Sequence, residues 1–166
     1  MTVQFREASV VSQTEYKRKF LVVVDETEEC DRAVTFAAWR VHRTGGTVVL
    51  MSVIEPPEFH GLGVEEVLRA EAIEEAERNL DVRLRRIRDI GDVKVESVIR
   101  EGRGAEQIEE VISRDRDIAI LVLAASKSGD GPGPLVTHFA SRSNSMLIPL
   151  TIVPGHMSDE EIIAIC

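Results

Sequence analysis

Five short runs of aliphatic residues rich in Val and Ile, separated by stretches of helical period, leave this chain few ways to fold. The runs are Phe20–Asp25, Thr47–Ile54, Val93–Arg100, Ile118–Ala125 and Ile148–Val153. A first helix is predicted from Thr27, an N-cap residue type with Glu28 and Glu29 in the following turn, and Gly45-Gly46 stops it. Its inward positions are Cys30, Ala33, Val34, Ala37, Ala38 and Val41. A long helix is predicted over Val64–Ile90, where Leu68, Ala72, Ala76, Leu80, Leu84 and Ile87 recur at spacings of three and four and Gly91 stands at C′. Shorter helices are predicted over Ala105–Ser113 and from Leu135. Strict alternation of strand and helix, without internal repeat or low-complexity tract, predicts an α/β fold: a three-layer, doubly wound sandwich around a five-stranded parallel sheet.

The character of each run orders the strands. The first, second and fourth are apolar throughout, as strands buried on both faces must be. The third alternates, with Val93, Val95 and Ile99 opposed to Lys94, Glu96 and Arg100. The fifth contains Pro149, which has no ladder donor and belongs at an edge. With right-handed crossovers, the order 3-2-1-4-5 satisfies all five, whereas 2-1-3-4-5 would strand the apolar second run at an edge. A chain of 166 residues is expected to hold one such domain over residues 19–155. A flexible extension over residues 1–18 and a tail over 156–166 flank it, the tail with a short helix opened by a Ser158-Asp-Glu-Glu161 capping box.

Composition excludes several roles. The net charge of −9 disfavours nucleic acid as a partner. The main basic cluster, Arg83, Arg85, Arg86 and Arg88, follows a Glu-rich half-helix and reads as a solvated helix end complementing the dipole. Cys30 and Cys166 are too few for a disulfide framework or zinc site, and Cys30 reads as a small buried hydrophobe. His42, His60, His138 and His156 are not spaced as metal ligands, so no metal site is expected. No run approaches the ~18 apolar residues of a membrane span. Residues 1–15 are polar and lack a signal-peptide core, so a cytoplasmic protein without membrane contact is expected. The chain has no G-x-x-x-x-G-K-[ST] loop, no G-x-G-x-x-G after the first strand and no nucleophile elbow, so it is not expected to be an enzyme.

Ligands of open α/β sheets sit where the winding reverses, here between strands one and four. Asp25 ends strand one, and the loop Gly129-Asp-Gly-Pro-Gly-Pro134 follows strand four. Gly129, Gly131 and Gly133 would let backbone N–H groups approach a phosphate, Pro134 suits the first helical position, and Thr137 would present a hydroxyl one turn on. The same glycines and prolines also suit a tight, rigid turn. Asp25 suits a ribose hydroxyl, an adenine-edge donor or a phosphate-bound cation, and equally a cap for the adjoining helix. Lys127 could pair with a phosphate or stand in solvent.

Phe20-Leu-Val-Val-Val-Asp25-Glu-Thr-Glu-Glu29 resembles the opening strand of the universal stress protein family, which ends in an aspartate before an acidic helix cap. Val49–Ile54 with Glu55-Pro56, Ile120–Ala125 and Ile148–Pro154 are similar to that family's second, fourth and fifth strands. The likeness covers residues 19–155 and implies an adenine nucleotide alpha hydrolase-like sheet of order 3-2-1-4-5. It implies a stress-response regulator that dimerises through the fifth strand, and an unidentified protein partner. Nucleotide-binding members imply ATP or AMP held by Asp25, by backbone at Val53 and by a glycine loop of pattern G-x2-G-x9-G-[ST], with Mg²⁺ only alongside ATP. Here Ala124 and Lys127 take the first two glycine positions, the third falls near Val136 or Thr137, and glycines 129, 131 and 133 are shifted along the loop. Members lacking the motif imply the alternative, a nucleotide-free dimeric interaction module.

Overall fold

The computed structural model describes residues 17–56, 61 and 63–166. Of the extension expected over 1–18 only Lys17 and Arg18 are included, and His60 lies outside the described residues. The elements run β1 (Lys19–Val23), α1 (Cys30–Thr44), β2 (Thr47–Ile54), α2 (Val64–Ile90), β3 (Lys94–Glu101), α3 (Gly104–Arg114) and β4 (Ile118–Ala125). They continue with α4 (Pro134–Ser141), a 3-10 turn at Ser143–Ser145, β5 (Leu150–Pro154) and α5 (Asp159–Ile165). All strand pairs are parallel, in the order β3-β2-β1-β4-β5. The order expected from strand character is the order found.

Period-two alternation sends side chains of each central strand to both faces of the sheet. Phe20, Val22, Val48, Leu50 and Val122 pack with α1, Leu80 and Ile87 of α2, and Ile162 of α5. Leu21, Val49, Met51, Leu121 and Leu123 pack on the other face with Ile108, Val111 and Ile112 of α3 and Phe139 of α4. All six inward positions read from the α1 sequence are buried. β3 is nowhere fully buried, which fits its edge place. Pro149 immediately precedes β5, and its carbonyl accepts from Leu121 N at 3.0 Å, so the missing donor costs no ladder bond.

Three sequence expectations are corrected. Thr27 is not the helix cap: α1 starts at Cys30, because the Asp25 carboxylate captures the Thr27 N–H and hydroxyl and holds the chain in a turn first. Leu68 is not inward but 37% exposed, beside exposed Val64 and Val67. A helix of 27 residues is about 40 Å long, while an eight-residue strand reaches about 26 Å, so the first turns of α2 overrun the sheet.

The basic cluster on α2 is the third. Arg85 and Arg88 are exposed, but Arg83 is buried and Arg86 is turned inward. Arg83 donates to Thr27 O at 3.1 Å and Asn79 Oδ1 at 3.3 Å, and its Nε faces Asp31 Oδ1 at 3.1 Å. Arg86 bonds Thr35 Oγ1 at 2.9 Å and both Asp159 carboxylate oxygens at 2.8 Å. These arginines tie α2 to α1, to α5 and to the turn after β1. The α5 capping box is formed as expected, with Ser158 Oγ accepting from Glu161 N and Glu161 accepting from Ser158 N.

Candidate functional site

Beyond the carboxyl ends of β1 and β4, where the winding direction reverses, the turn after β1 and the loop before α4 enclose a crevice of about 700 Å³. One wall is Asp25, Thr27, Glu29 and Cys30; the other is Ser126, Ser128 and Asp130–His138. Asp25, Gly131, Gly133 and Thr137 therefore meet in one place, as the topology requires. Val53 and Gly129 stand outside the lining: Val53 lies on β2 opposite Arg100 and packs on the second core cluster.

The Asp25 wall is built locally and braced from a distance. Thr27 N and Thr27 Oγ1 both donate to Asp25 Oδ1, at 2.9 and 2.6 Å. Both bonds fall on one oxygen, and among the described residues the other oxygen of the exposed carboxylate has no hydrogen-bond partner and is left for a donor in the crevice. The Arg83 guanidinium on Thr27 O fixes the turn against α2. Cys30 lines the floor, with Sγ 3.7 Å from Val23 O. Burial pushes its thiol up to about 11, which favours the protonated form at neutral pH.

The opposite wall is a closed loop. Ser126 N donates to Pro132 O at 3.0 Å, and Ser128 N donates to Ser126 Oγ at 3.1 Å. Gly131 and Gly133 have φ of +113° and +100°, with open space where a Cβ would go. Backbone conformation, not crowding, requires glycine at both positions. Pro134 is the first residue of α4, as its rigid φ favours. The N–H groups of Leu135 and Val136 then open the helix towards the crevice without intrahelical acceptors. The Thr137 hydroxyl donates back to Gly133 O at 2.9 Å, so it offers a ligand only acceptor capacity.

Glu29 is the residue that sequence reasoning left as mere dipole complement. Its Oε1 accepts from Lys127 N at 3.0 Å across the mouth of the crevice. That N–H, seconded by Glu29's own amide, holds its carboxyl below the ordinary carboxylate value. Lys127 turns its ammonium to Glu28 Oε2, 3.6 Å away, rather than into the crevice. No spacing in the chain signals a contact between residues 98 positions apart. His138 sits at the rim, edge-on to Phe139 and 3.3 Å from Glu109 Oε1. Among the described residues, no group of three or more His, Cys, Asp or Glu side chains is placed to hold a metal ion, and no helix is long and apolar enough to cross a membrane.

Solved structures with this architecture are numerous. The chain is similar to the universal stress protein UspA of Lactobacillus plantarum, with 17% identity, 82% of this chain and 97% of that chain covered, and a TM-score of 0.69. It is similar to a universal stress protein family protein of Arabidopsis thaliana solved with AMP bound, at 18% identity, 86% and 94% coverage and a TM-score of 0.58. It is also similar to the universal stress protein of Archaeoglobus fulgidus in complex with dAMP, at 18% identity, 82% and 97% coverage and a TM-score of 0.56. None of the curated protein sequences matches the chain. The family model for universal stress proteins matches residues 17–154, which takes in all five strands and the four helices between them, and the chain belongs to the universal stress protein family.

Proposed function

We propose that the crevice binds an adenine nucleotide, ATP or AMP, and that the protein serves as a dimeric stress-response regulator rather than a catalyst. One observation carries the reading: a free carboxylate oxygen on Asp25 faces a glycine-rich turn and the N-terminus of α4 across the switch point of the sheet. The carboxylate suits a ribose hydroxyl or an adenine-edge donor, and the α4 amides suit a phosphate. The AMP and dAMP held by two similar proteins support the ligand class. Mg²⁺ would enter only with ATP, carried on the phosphates. On this reading bound nucleotide is held and not turned over, and a turnover assay with Mg²⁺ is expected to stay at background.

Native mass spectrometry of freshly purified protein, with and without added AMP or ATP, tests occupancy. Asp25→Ala and Gly131→Val are each expected to abolish nucleotide-dependent thermal stabilisation. The first removes the ribose-side acceptor, and the second forces a β-branched residue to a φ of +113°. Undiminished stabilisation in both variants would refute the reading. A second reading, a nucleotide-free interaction module, is favoured by Ala124 and Lys127 at positions where glycines would open the loop. It predicts an empty protein under millimolar nucleotide. In both readings the subunits pair through β5, an edge strand that exposes Ile152.

A further inference from the structure

We infer that the Glu29 carboxylate is a built-in occupant of the phosphate-binding loop and excludes polyphosphates, so that the crevice accepts an adenine nucleotide bearing a single phosphate. The inference deepens the nucleotide reading above and rests on it. An anion-binding loop works through convergent backbone N–H groups. In the loop after β4 the first three are already used: Ser126 N by Pro132 O, Lys127 N by Glu29 Oε1, and Ser128 N by Ser126 Oγ. Prolines 132 and 134 contribute none. The donors left for a ligand are the amides of Gly129, Asp130, Gly131 and Gly133, which have no acceptor among the described residues, and the first-turn amides of Leu135 and Val136 at α4.

Charge points the same way. Asp25, Glu29 and Asp130 line the crevice, and among the described residues its lining contains no lysine or arginine. Each further phosphate would add negative charge to a site that already carries three carboxylates. The seat of Glu29 is also shaped for it. A Cβ on Gly155 would lie 2.7 Å from Glu29 Cγ and 3.2 Å from Lys127 Cγ, and would collide with Ala125 O. Glycine at 155 is required by the Ala125 carbonyl, and the space it leaves is where the Glu29 side chain passes to reach Lys127 N.

Isothermal titration of the full chain with AMP and with ATP, in the presence of EDTA, tests the assignment on wild type, Glu29→Ala and Glu29→Gln. Wild type is expected to bind AMP about tenfold or more tighter than ATP, the scale of one charge-assisted hydrogen bond. Glu29→Ala frees the Lys127 N–H and removes a charge, and is expected to tighten ATP about tenfold while AMP changes little. Glu29→Gln removes the charge but keeps an acceptor, and should fall between. Equal ATP affinity in wild type and Glu29→Ala overturns the role of Glu29 and leaves the nucleotide reading intact. ATP binding that appears only in Glu29→Ala, with nothing bound by wild type, overturns the claim that the native crevice accepts a nucleotide with a single phosphate. No binding by any of the three, each melting as a folded protein, overturns both.

Discussion

Lys19 shows how a single residue closes the end of the sheet opposite the crevice. Its ammonium bonds Glu96 Oε2 at 2.8 Å and Asp115 Oδ2 at 2.9 Å, joining β1 to β3 and to the end of α3. The bonds to Glu96 and Asp115 raise the lysine above its ordinary 10.5. Partial burial works against the Asp115 carboxylate, but Lys19 and the Asp117 N–H outweigh it and hold the acid below its ordinary 3.8. The two shifts have opposite signs in pH. The Asp115 contribution is complete above its unfolded value and is lost as pH falls through the lower, folded value. The Lys19 contribution is complete below 10.5 and is lost as pH rises through the higher, folded value. The urea midpoint of Lys19→Met should therefore lie below wild type at neutral pH and converge with it as acid protonates Asp115 below its ordinary 3.8. A gap that persists unchanged into acid would show that the ion pairs are not its source. Residues of this kind were the least legible in the sequence. Asp25 could be placed at a strand end, but nothing in a linear pattern brings Glu29 to Lys127, or Arg83 to Thr27 and Asp31.

Elements were far more legible, because each is written in a local period. α2 was readable from its first residue to its last, since the apolar spacing and Gly91 are both local signals. What its pattern could not convey is how much of its length has a surface to cover. Ala76, Leu80 and Ile87 are buried against the sheet, whereas Val64, Val67 and Leu68 are exposed. Helical stability in proteins comes chiefly from packing an apolar face, so the overrunning turns lack the main source of it. Hydrogen exchange is expected to be faster by at least about tenfold over residues 64–71 than over 76–90, in line with local opening well short of global unfolding. Uniform protection along the helix would contradict this. The start of α1 was misjudged for a related reason. Thr27 is a good cap in isolation, but a carboxylate two residues earlier offers its amide a competing bond.

At the scale of the whole molecule, sheet order and the position of the crevice were both contained in the sequence. Which strands are apolar on both faces decides the centre of a parallel sheet, and the centre decides where the winding reverses. The proposed dimer interface belongs to this scale as well. Among the described residues β5 has a partner strand on one side only, and α5 docks on α1, with Arg40 bonding the Cys166 carbonyl at 3.2 Å and Arg86 of α2 bonding Asp159. Pairing of two β5 strands would bury Ile152, so Ile152→Asp is expected to convert a dimer to a monomer in light scattering at micromolar concentration. Wild type that is already monomeric there would refute the proposed mode of assembly. The 3-2-1-4-5 order also has a consequence in time. β1 lies between β2 and β4, and Phe20 finds its neighbour Ile120 only after a hundred further residues have been made. At ribosomal speeds of about 5–20 residues per second, that is a wait of about 5–20 s. Until then the apolar Phe20–Val23 run has no neighbour on its β4 side, so that edge of β1 stays unpaired while most of the chain is being made.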